Sequence, residues 1–182
     1  IDKGDVNVKI IGSDMTPLVT GQVDVVSGWV INVGTLSVLP EDYVTAMLSD
    51  LGIRLYAYPY YTTEDMLDSS ADQLAGFITA TGKGWEWARR NLDESIDMLI
   101  KRVPELRRAE QKQGAERIMQ YMWTEETAER GWGTMTADSW ESQIQTWDSL
   151  DQFGGEAPTV DDVMTTSVLE ATKGDRPETG PA

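Results

Sequence analysis

The sequence predicts an α/β protein in which short strands come first and helices follow. Two observations lead to this prediction. Segments rich in Val and Ile, some with alternating polarity, occur in the first sixty residues, between Gly-containing breaks. From Thr63 onward, apolar residues recur at the three- and four-residue spacing of amphipathic helices.

The predicted strands share β-branched and aromatic residues and lie at 6–11, 23–26, 44–48 and 53–58. Between the first two, Ser13 or Asp14 is expected to cap a helical turn that Gly21 ends. The stretch 35–39 is compatible with a helical turn or a strand. Because parallel neighbours need crossovers of about ten or more residues, we expect further strands from a preceding segment.

The predicted helices begin at capping residues and end near Pro or Gly. Asn91, with Glu94 as a capping box, is expected to open the second helix and Pro104 to end it. The helices are predicted from Asp72, from Asn91, over about 105–123, from Thr136 to before Gly154, and over 159–171. The segment 173–182 is rich in Pro, Gly and charge, and is predicted to be disordered.

Composition excludes several classes of function. The formal net charge is -16, and a nucleic-acid binder needs cations that replace phosphate counterions. Cys and His are absent, so thiolate nucleophiles, Cys/His zinc sites and Ser-His-Asp triads are excluded. A carboxylate metal site or a carboxylate acid/base pair stays open. No run approaches the roughly 20 apolar residues that span a bilayer.

Several elements, in order along the chain, resemble one family of periplasmic binding proteins. Segment 18–25, Leu-Val-Thr-Gly-Gln-Val-Asp-Val, is similar to the family's Leu-x-x-Gly-Gln-Val-Asp-Ala element. The family includes receptors for thiamine-pyrimidine precursors, with sulfonate, taurine and nitrate receptors as relatives. The other similar segments are Ser27–Asn32, Asp50–Ile53, Phe77–Ala88, Asn91–Ser95 and Gly133–Met135 ahead of Trp140.

The resemblance implies a type II, periplasmic-binding-protein-like architecture of two α/β lobes with ligand in the cleft between them. Residues 1–58 would be part of the second lobe, and 59–172 the hinge return and the helical C-terminal part of the first. It implies a monomeric, exported, extracytoplasmic solute-binding component of an ABC importer, whose partners are a small ligand and the membrane permease. No catalysis, metal or cofactor is expected. Because residue 1 is Ile, we expect a signal peptide and a larger preceding part to lie outside this chain.

The loop Ser27–Asn32 is the expected pocket wall, because it follows a predicted strand and carries an indole and an amide. Trp29 could stack on a flat ring, and Asn32 could donate to and accept from a heterocycle edge. Ser27, Gly28 and Tyr60 complete the candidate ligand-binding set. The alternatives are a surface aromatic for Trp29, local turn roles for Asn32 and Ser27, and a stiff chain crossing for Tyr60.

A small heteroaromatic nutrient, similar to a thiamine pyrimidine precursor, is the expected ligand. One alternative is an anion receptor for sulfonate, taurine or nitrate. Another is an acidic α-helical interaction module without a small ligand. A third, an enzyme related to the eukaryotic pyrimidine synthases that resemble these receptors, lacks the His and Cys on which those enzymes depend.

Overall fold

A computed structural model of the chain describes residues 3–181, and this part of the chain is helical. A short 3-10 turn, Lys3–Asp5, precedes the α-helices. The helices are α1 (Thr16–Val19), α2 (Val33–Leu36), α3 (Glu64–Ser69), α4 (Ala71–Arg90), α5 (Leu92–Arg102), α6 (Arg108–Met122), α7 (Glu125–Arg130), α8 (Ala137–Ser149), α9 (Val160–Val163) and α10 (Ser167–Ala171).

The α/β, two-lobed type II fold predicted from the sequence is wrong, because residues 3–181 contain no β-strand. The segments predicted as strands are irregular chain, and several of their apolar side chains face solvent: Val8 is 78% exposed, Ile10 100% and Val44 93%. Their β-branched composition expresses a preference for a pleated, half-buried surface, which needs neighbouring strands. Without such neighbours an isolated strand is not stable, and no ladder forms.

Four of the five predicted helices are present, as α4, α5, α6 and α8, whereas the single helix predicted over 159–171 is divided into α9 and α10. Asp72 lies in the first turn of α4. Asn91 is the N-cap residue of α5, but its side chain makes no capping hydrogen bond there, so the capping box predicted with Glu94 is wrong. Thr136 caps α8, because its side chain accepts a hydrogen bond from the Ser139 backbone N–H at 3.3 Å. α3 and α7 were not foreseen, although Thr63 and Thr124 cap them through the same type of contact.

The chain divides into two compact units, each discontinuous in sequence. Unit 1 comprises the described residues up to Val44 together with Asn91–Tyr121. Its buried apolar residues are Met15 and Ile96. Ion pairs join α5 to α6, with Arg108 bound to Asp93 and Asp97 at 2.9 and 2.6 Å.

Unit 2 comprises Thr45–Arg90 and the described residues from Met122 onward, and α4 is its longest helix. Trp123 is 1% exposed and is its largest fully buried side chain, with Trp132 and Ile144 also buried. α10 packs against α4. The side chain of Gln143 in α8 accepts a hydrogen bond from the Tyr56 backbone N–H at 2.8 Å. The same unit therefore also holds the segment that was predicted as a strand at 53–58.

The C-terminal segment, predicted to be disordered, follows a defined course over α4 and α7 in the described residues. Pro177 is buried, and its carbonyl accepts a hydrogen bond from the Trp132 backbone N–H at 2.8 Å. The Thr179 hydroxyl donates to Glu86 at 3.0 Å, and the Thr179 carbonyl accepts from the Thr127 hydroxyl at 2.8 Å. These contacts satisfy backbone groups that a disordered tail would leave to water.

We predict that two glycines of α4 respond differently to alanine. A Cβ at Gly82 would lie 3.1 Å from both Pro177 Cδ and the Trp132 ring, whereas a Cβ at Gly84 would meet nothing within 4 Å. Gly84→Ala should raise the free energy of unfolding by about 0.5–1 kcal/mol, because alanine favours helix. Gly82→Ala should be about 1–3 kcal/mol less stable than Gly84→Ala, because of overpacking. Urea denaturation measures both, and equal stabilities would contradict the packing of the tail on α4.

Candidate functional site

The loop Ser27–Asn32 lies in unit 1, between a segment predicted as a strand and the helical turn α2. Ser27, Gly28, Trp29 and Asn32 are all exposed, and Trp29 has 59% of its surface accessible. The loop therefore presents its indole and its amide at the surface of the unit. Neither side chain is part of the buried core.

Tight turns define the course of the loop backbone. The Asn32 N–H donates to the Trp29 carbonyl at 3.0 Å, and the Val33 N–H donates to the Ile31 carbonyl at 2.9 Å. The Asn32 carbonyl in turn accepts the Leu36 N–H at 3.0 Å, which joins the loop to α2. The backbone from Trp29 to α2 is thus hydrogen-bonded, while the Trp29 side chain stays exposed.

Helix α6 supports the loop from residues far away in sequence. Arg117 Nη1 donates to the Val30 carbonyl at 2.5 Å. Gly114 lets the two backbones approach, because a Cβ there would lie 3.0 Å from the Ile31 carbonyl oxygen. On the other side, a Cβ at Gly28 would lie 2.9 Å from Met15 Cε. Close packing against backbone therefore favours glycine at 114, whereas at Gly28 the neighbour is the flexible end of the Met15 side chain.

Asn32 occupies the N-cap position of α2, but its side chain does not cap that helix. The alternative predicted for this amide was a local turn role in its own loop. An exposed amide carries donors and acceptors on one planar group and can pair with a heterocycle edge. Trp29 supplies a large aromatic face close to it in sequence, and flat rings stack on such faces.

Tyr60, the other candidate, belongs to unit 2 and packs in an aromatic cluster. Its ring meets Phe77 edge-on, with centroids 5.4 Å apart at 86°, and Trp132 at 6.3 Å. Tyr60 remains 55% exposed and Phe77 51% exposed. The structure thus gives Tyr60 a packing role alongside an accessible face, and a ligand contact through it stays a prediction.

Asp14 and Asp93 are the carboxylates of unit 1 with lowered pKa values. Asp14 accepts from the Thr16 N–H at 2.9 Å and from its hydroxyl at 2.7 Å, and these hydrogen bonds lower the Asp14 pKa. This contact is a local turn ahead of α1, whose N-cap residue is Met15, so Asp14 is not the N-cap that the sequence predicted. Hydrogen bonds from Lys112 and then Arg108 lower the Asp93 pKa. Within residues 3–181, no cluster of three acidic side chains could hold a metal ion.

Arg117 and Gly114 were not predicted as part of the site. Arg117 and Val30 are 87 residues apart, and neither stands in a motif that links them. The glycine inside a helical pattern was a usable signal, because glycine weakens a helix unless close packing requires it.

We predict that Arg117→Met loosens the loop. Loss of a hydrogen bond from a charged donor to a carbonyl costs about 1.5–3 kcal/mol. About 1.4 kcal/mol corresponds to a tenfold change in an equilibrium constant, here that of local opening of the loop. Hydrogen exchange of the Asn32 amide should therefore accelerate by about tenfold or more. Arg102→Met, at the exposed end of α5, is the matched control and should leave this amide unchanged. Unchanged exchange in Arg117→Met would contradict the support that α6 gives to the loop.

We predict that Asp93→Asn destabilises the chain at neutral pH and not in acid. The folded state lowers the pKa of Asp93, so the stabilisation is present above the unfolded-state value of about 3.9. It is lost as the pH falls through the folded-state pKa. Urea midpoints of parent and variant should differ at pH 7 and converge in acid. Asp42→Asn is the exposed control, and a difference that persists in acid would contradict the linkage.

Comparison with known proteins supplies the context for this loop. The sequence model of the NMT1/THI5-like family matches residues 1–95, which include Ser27–Asn32 and Tyr60. No curated protein and no solved structure matches the chain. Membership of this family suggests a protein that binds small solutes, generally without catalysis. Solute-binding proteins of this family suggest an ABC transporter as partner and are typically extracytoplasmic. None of the helices within residues 3–181 is long and apolar enough to cross a membrane. Because the match covers more than half of the 182 residues, the chain belongs to the NMT1/THI5-like family.

Proposed function

We propose that this protein is the extracytoplasmic solute-binding component of an ABC importer. In this proposal the loop Ser27–Asn32 contacts a small heteroaromatic nutrient similar to a thiamine pyrimidine precursor. The protein binds the nutrient without transforming it, and a membrane permease receives it. The observation that carries the proposal is the exposed Trp29 indole on a supported loop inside the region that matches the family.

The loop chemistry suits a neutral, flat ring. The Trp29 face can stack on it, and aromatic stacking is worth about 0.5–1.5 kcal/mol beyond the area that it buries. The Asn32 amide can donate to a ring nitrogen and accept from an exocyclic amino group. Small-molecule sites of this kind combine aromatic surface with a few polar groups that orient the ligand.

Support by α6 reduces the entropic cost of binding. A loop that is already ordered does not have to lose conformational freedom when the ligand arrives. Arg117 supplies that order through its hydrogen bond to the Val30 carbonyl, and Gly114 allows the Ile31 carbonyl to lie close to α6. Arg117 and Gly114 support the loop, whereas Trp29 and Asn32 would bind the ring. Because these are different residues, separate variants can test loop support and ring binding.

Charge favours a neutral heterocycle over an anion. No Lys or Arg lies between Lys9 and Arg54, and the whole chain carries -16. Arg117 contacts the loop, but its guanidinium donates to the Val30 carbonyl. Anion receptors use bidentate guanidinium contacts or oriented backbone N–H groups, so sulfonate or nitrate is the second candidate ligand class.

We predict that Trp29→Ala weakens binding of the ring. Titration calorimetry of the full chain with hydroxymethylpyrimidine and formylaminopyrimidine should show binding. Because stacking and ring burial are lost, Trp29→Ala should raise Kd by about tenfold or more. Asn32→Ala should raise Kd for both pyrimidines and leave stability unchanged. Trp147→Ala, an exposed tryptophan of α8, is the matched control and should bind as the parent does.

Riboflavin, taurine and nitrate complete the titration series. Heat from taurine or nitrate alone would replace the proposed ligand class with the anion class. If Trp29→Ala and Trp147→Ala weaken binding equally, the loop is not the ligand-binding site. Absence of heat with every compound would contradict the proposed function for this chain.

A further inference from the structure

A pocket of about 190 Å³ lies in unit 2, away in sequence from the loop Ser27–Asn32. Eight residues from α7, the turn after it, α10 and the following segment line the pocket, namely Arg130, Thr134, Met135, Thr166, Leu169, Glu170, Lys173 and Arg176. Pockets for drug-sized molecules measure about 300–1,000 Å³, so this one suits something smaller. One water occupies about 30 Å³, so there is room for a small ion with its hydration.

Positive charge converges on this pocket from a segment that is otherwise acidic. Residues 122–182 contain thirteen acidic side chains and three cationic ones. All three cations, Arg130, Lys173 and Arg176, line the pocket, and Glu170 is the acidic residue among its lining. The lining of the pocket therefore carries three cationic side chains and one acidic one, the opposite of the balance in the segment.

Arg176 is a buried cation without a carboxylate in ion-pair contact among the described residues. It is 5% exposed, and its guanidinium donates to backbone carbonyls and a hydroxyl. Nη2 donates to the Arg130 and Leu169 carbonyls at 3.0 and 3.1 Å, and Nε to the Thr172 hydroxyl at 3.0 Å. Nη1 donates to the Trp132 carbonyl.

These contacts satisfy hydrogen bonds but leave a full charge in a desolvated position. Burial lowers the pKa of Arg176, while the charges of Glu170 and Glu178 oppose that shift. Guanidinium nevertheless stays protonated in proteins. A buried charge is costly unless an opposite charge compensates it, and an anion in the adjoining pocket would do so.

We infer that this pocket binds a phosphate group, either as the free ion or at the end of a small phosphomonoester. Arg130 and Lys173 would contact its oxygens beside the charge of Arg176, and the Thr134 and Thr166 hydroxyls would donate to it. Glu170 makes the pocket prefer phosphate over sulfate. A phosphate group that retains a proton can donate to this carboxylate, whereas sulfate has no proton at neutral pH and is repelled.

The site is independent of the proposed solute binding, because it shares no residue with the loop. It also links the anion to the C-terminal segment, since Lys173 and Arg176 belong to the stretch that packs on α4 and α7. Phosphate bound there should therefore stabilise unit 2 and the course of residues 173–181.

Titration calorimetry of the full chain with inorganic phosphate at low ionic strength tests the inference. The parent should bind phosphate, and Arg130→Gln and Lys173→Gln should each raise Kd by about tenfold, the loss of one charge-assisted contact. Lys83→Gln, an exposed cation of α4 outside the pocket, is the matched control. Arg176 is left intact, because its replacement would also break structural hydrogen bonds.

Sulfate, acetate and methyl phosphate separate the ligand classes. Sulfate should bind more weakly than phosphate in the parent, and Glu170→Gln should reduce that difference. Binding of methyl phosphate as strong as that of phosphate assigns the site to phosphomonoesters, and weaker binding assigns it to the free ion. No heat with phosphate, or equal heat in Arg130→Gln, Lys173→Gln and the parent, would overturn the inference. Equal affinity for sulfate and phosphate would overturn the role of Glu170.

Thermal unfolding with phosphate gives a second readout. Phosphate and sulfate stabilise many proteins by exclusion from their surface, without binding. The shift in Tm should therefore be compared between the parent, Lys173→Gln and Lys83→Gln. A larger shift in the parent and Lys83→Gln than in Lys173→Gln supports the site. Equal shifts in all three contradict it.

Discussion

The support of one loop by α6 is the constraint on which the proposed solute site depends. Arg117 binds the Val30 carbonyl, and Gly114 admits the Ile31 carbonyl against the helix. Ion pairs between Asp93, Asp97 and Arg108 join α6 to α5. The exposed Trp29 indole therefore stands on a backbone that helix contacts order, and this order distinguishes it from an aromatic on a mobile surface loop.

The main helices of the fold could be predicted from the sequence, whereas the strands predicted in the first sixty residues are absent from the described part of the chain. Helices α4, α5 and α8 were recognisable because helical periodicity and capping residues are local signals. The segments at 6–11 and 44–48 were misread because β-propensity reports a fit to a sheet that must already exist. Val8, Ile10 and Val44 carry that composition, yet they face solvent in the described structure.

In the candidate site, too, local sequence signals could be recognised and contacts between distant parts of the chain could not. Ser27, Gly28, Trp29 and Asn32 could be proposed because an indole and an amide follow glycine in one short loop. Arg117 and Gly114 could not, since their contacts join parts of the chain that are distant in sequence. The same holds for Arg176 and Pro177, whose composition predicted disorder while tertiary contacts with Trp132 order them. Composition describes an isolated segment, and packing decides its state.

Nuclear magnetic resonance of the full chain, with the indole N–H groups of its seven tryptophans labelled and assigned, tests the solute site most directly. Hydroxymethylpyrimidine should shift the Trp29 indole resonance in a saturable manner and leave that of Trp147 in place. A saturable shift confined to other tryptophans, or no shift at any of them, would contradict the assignment of the loop.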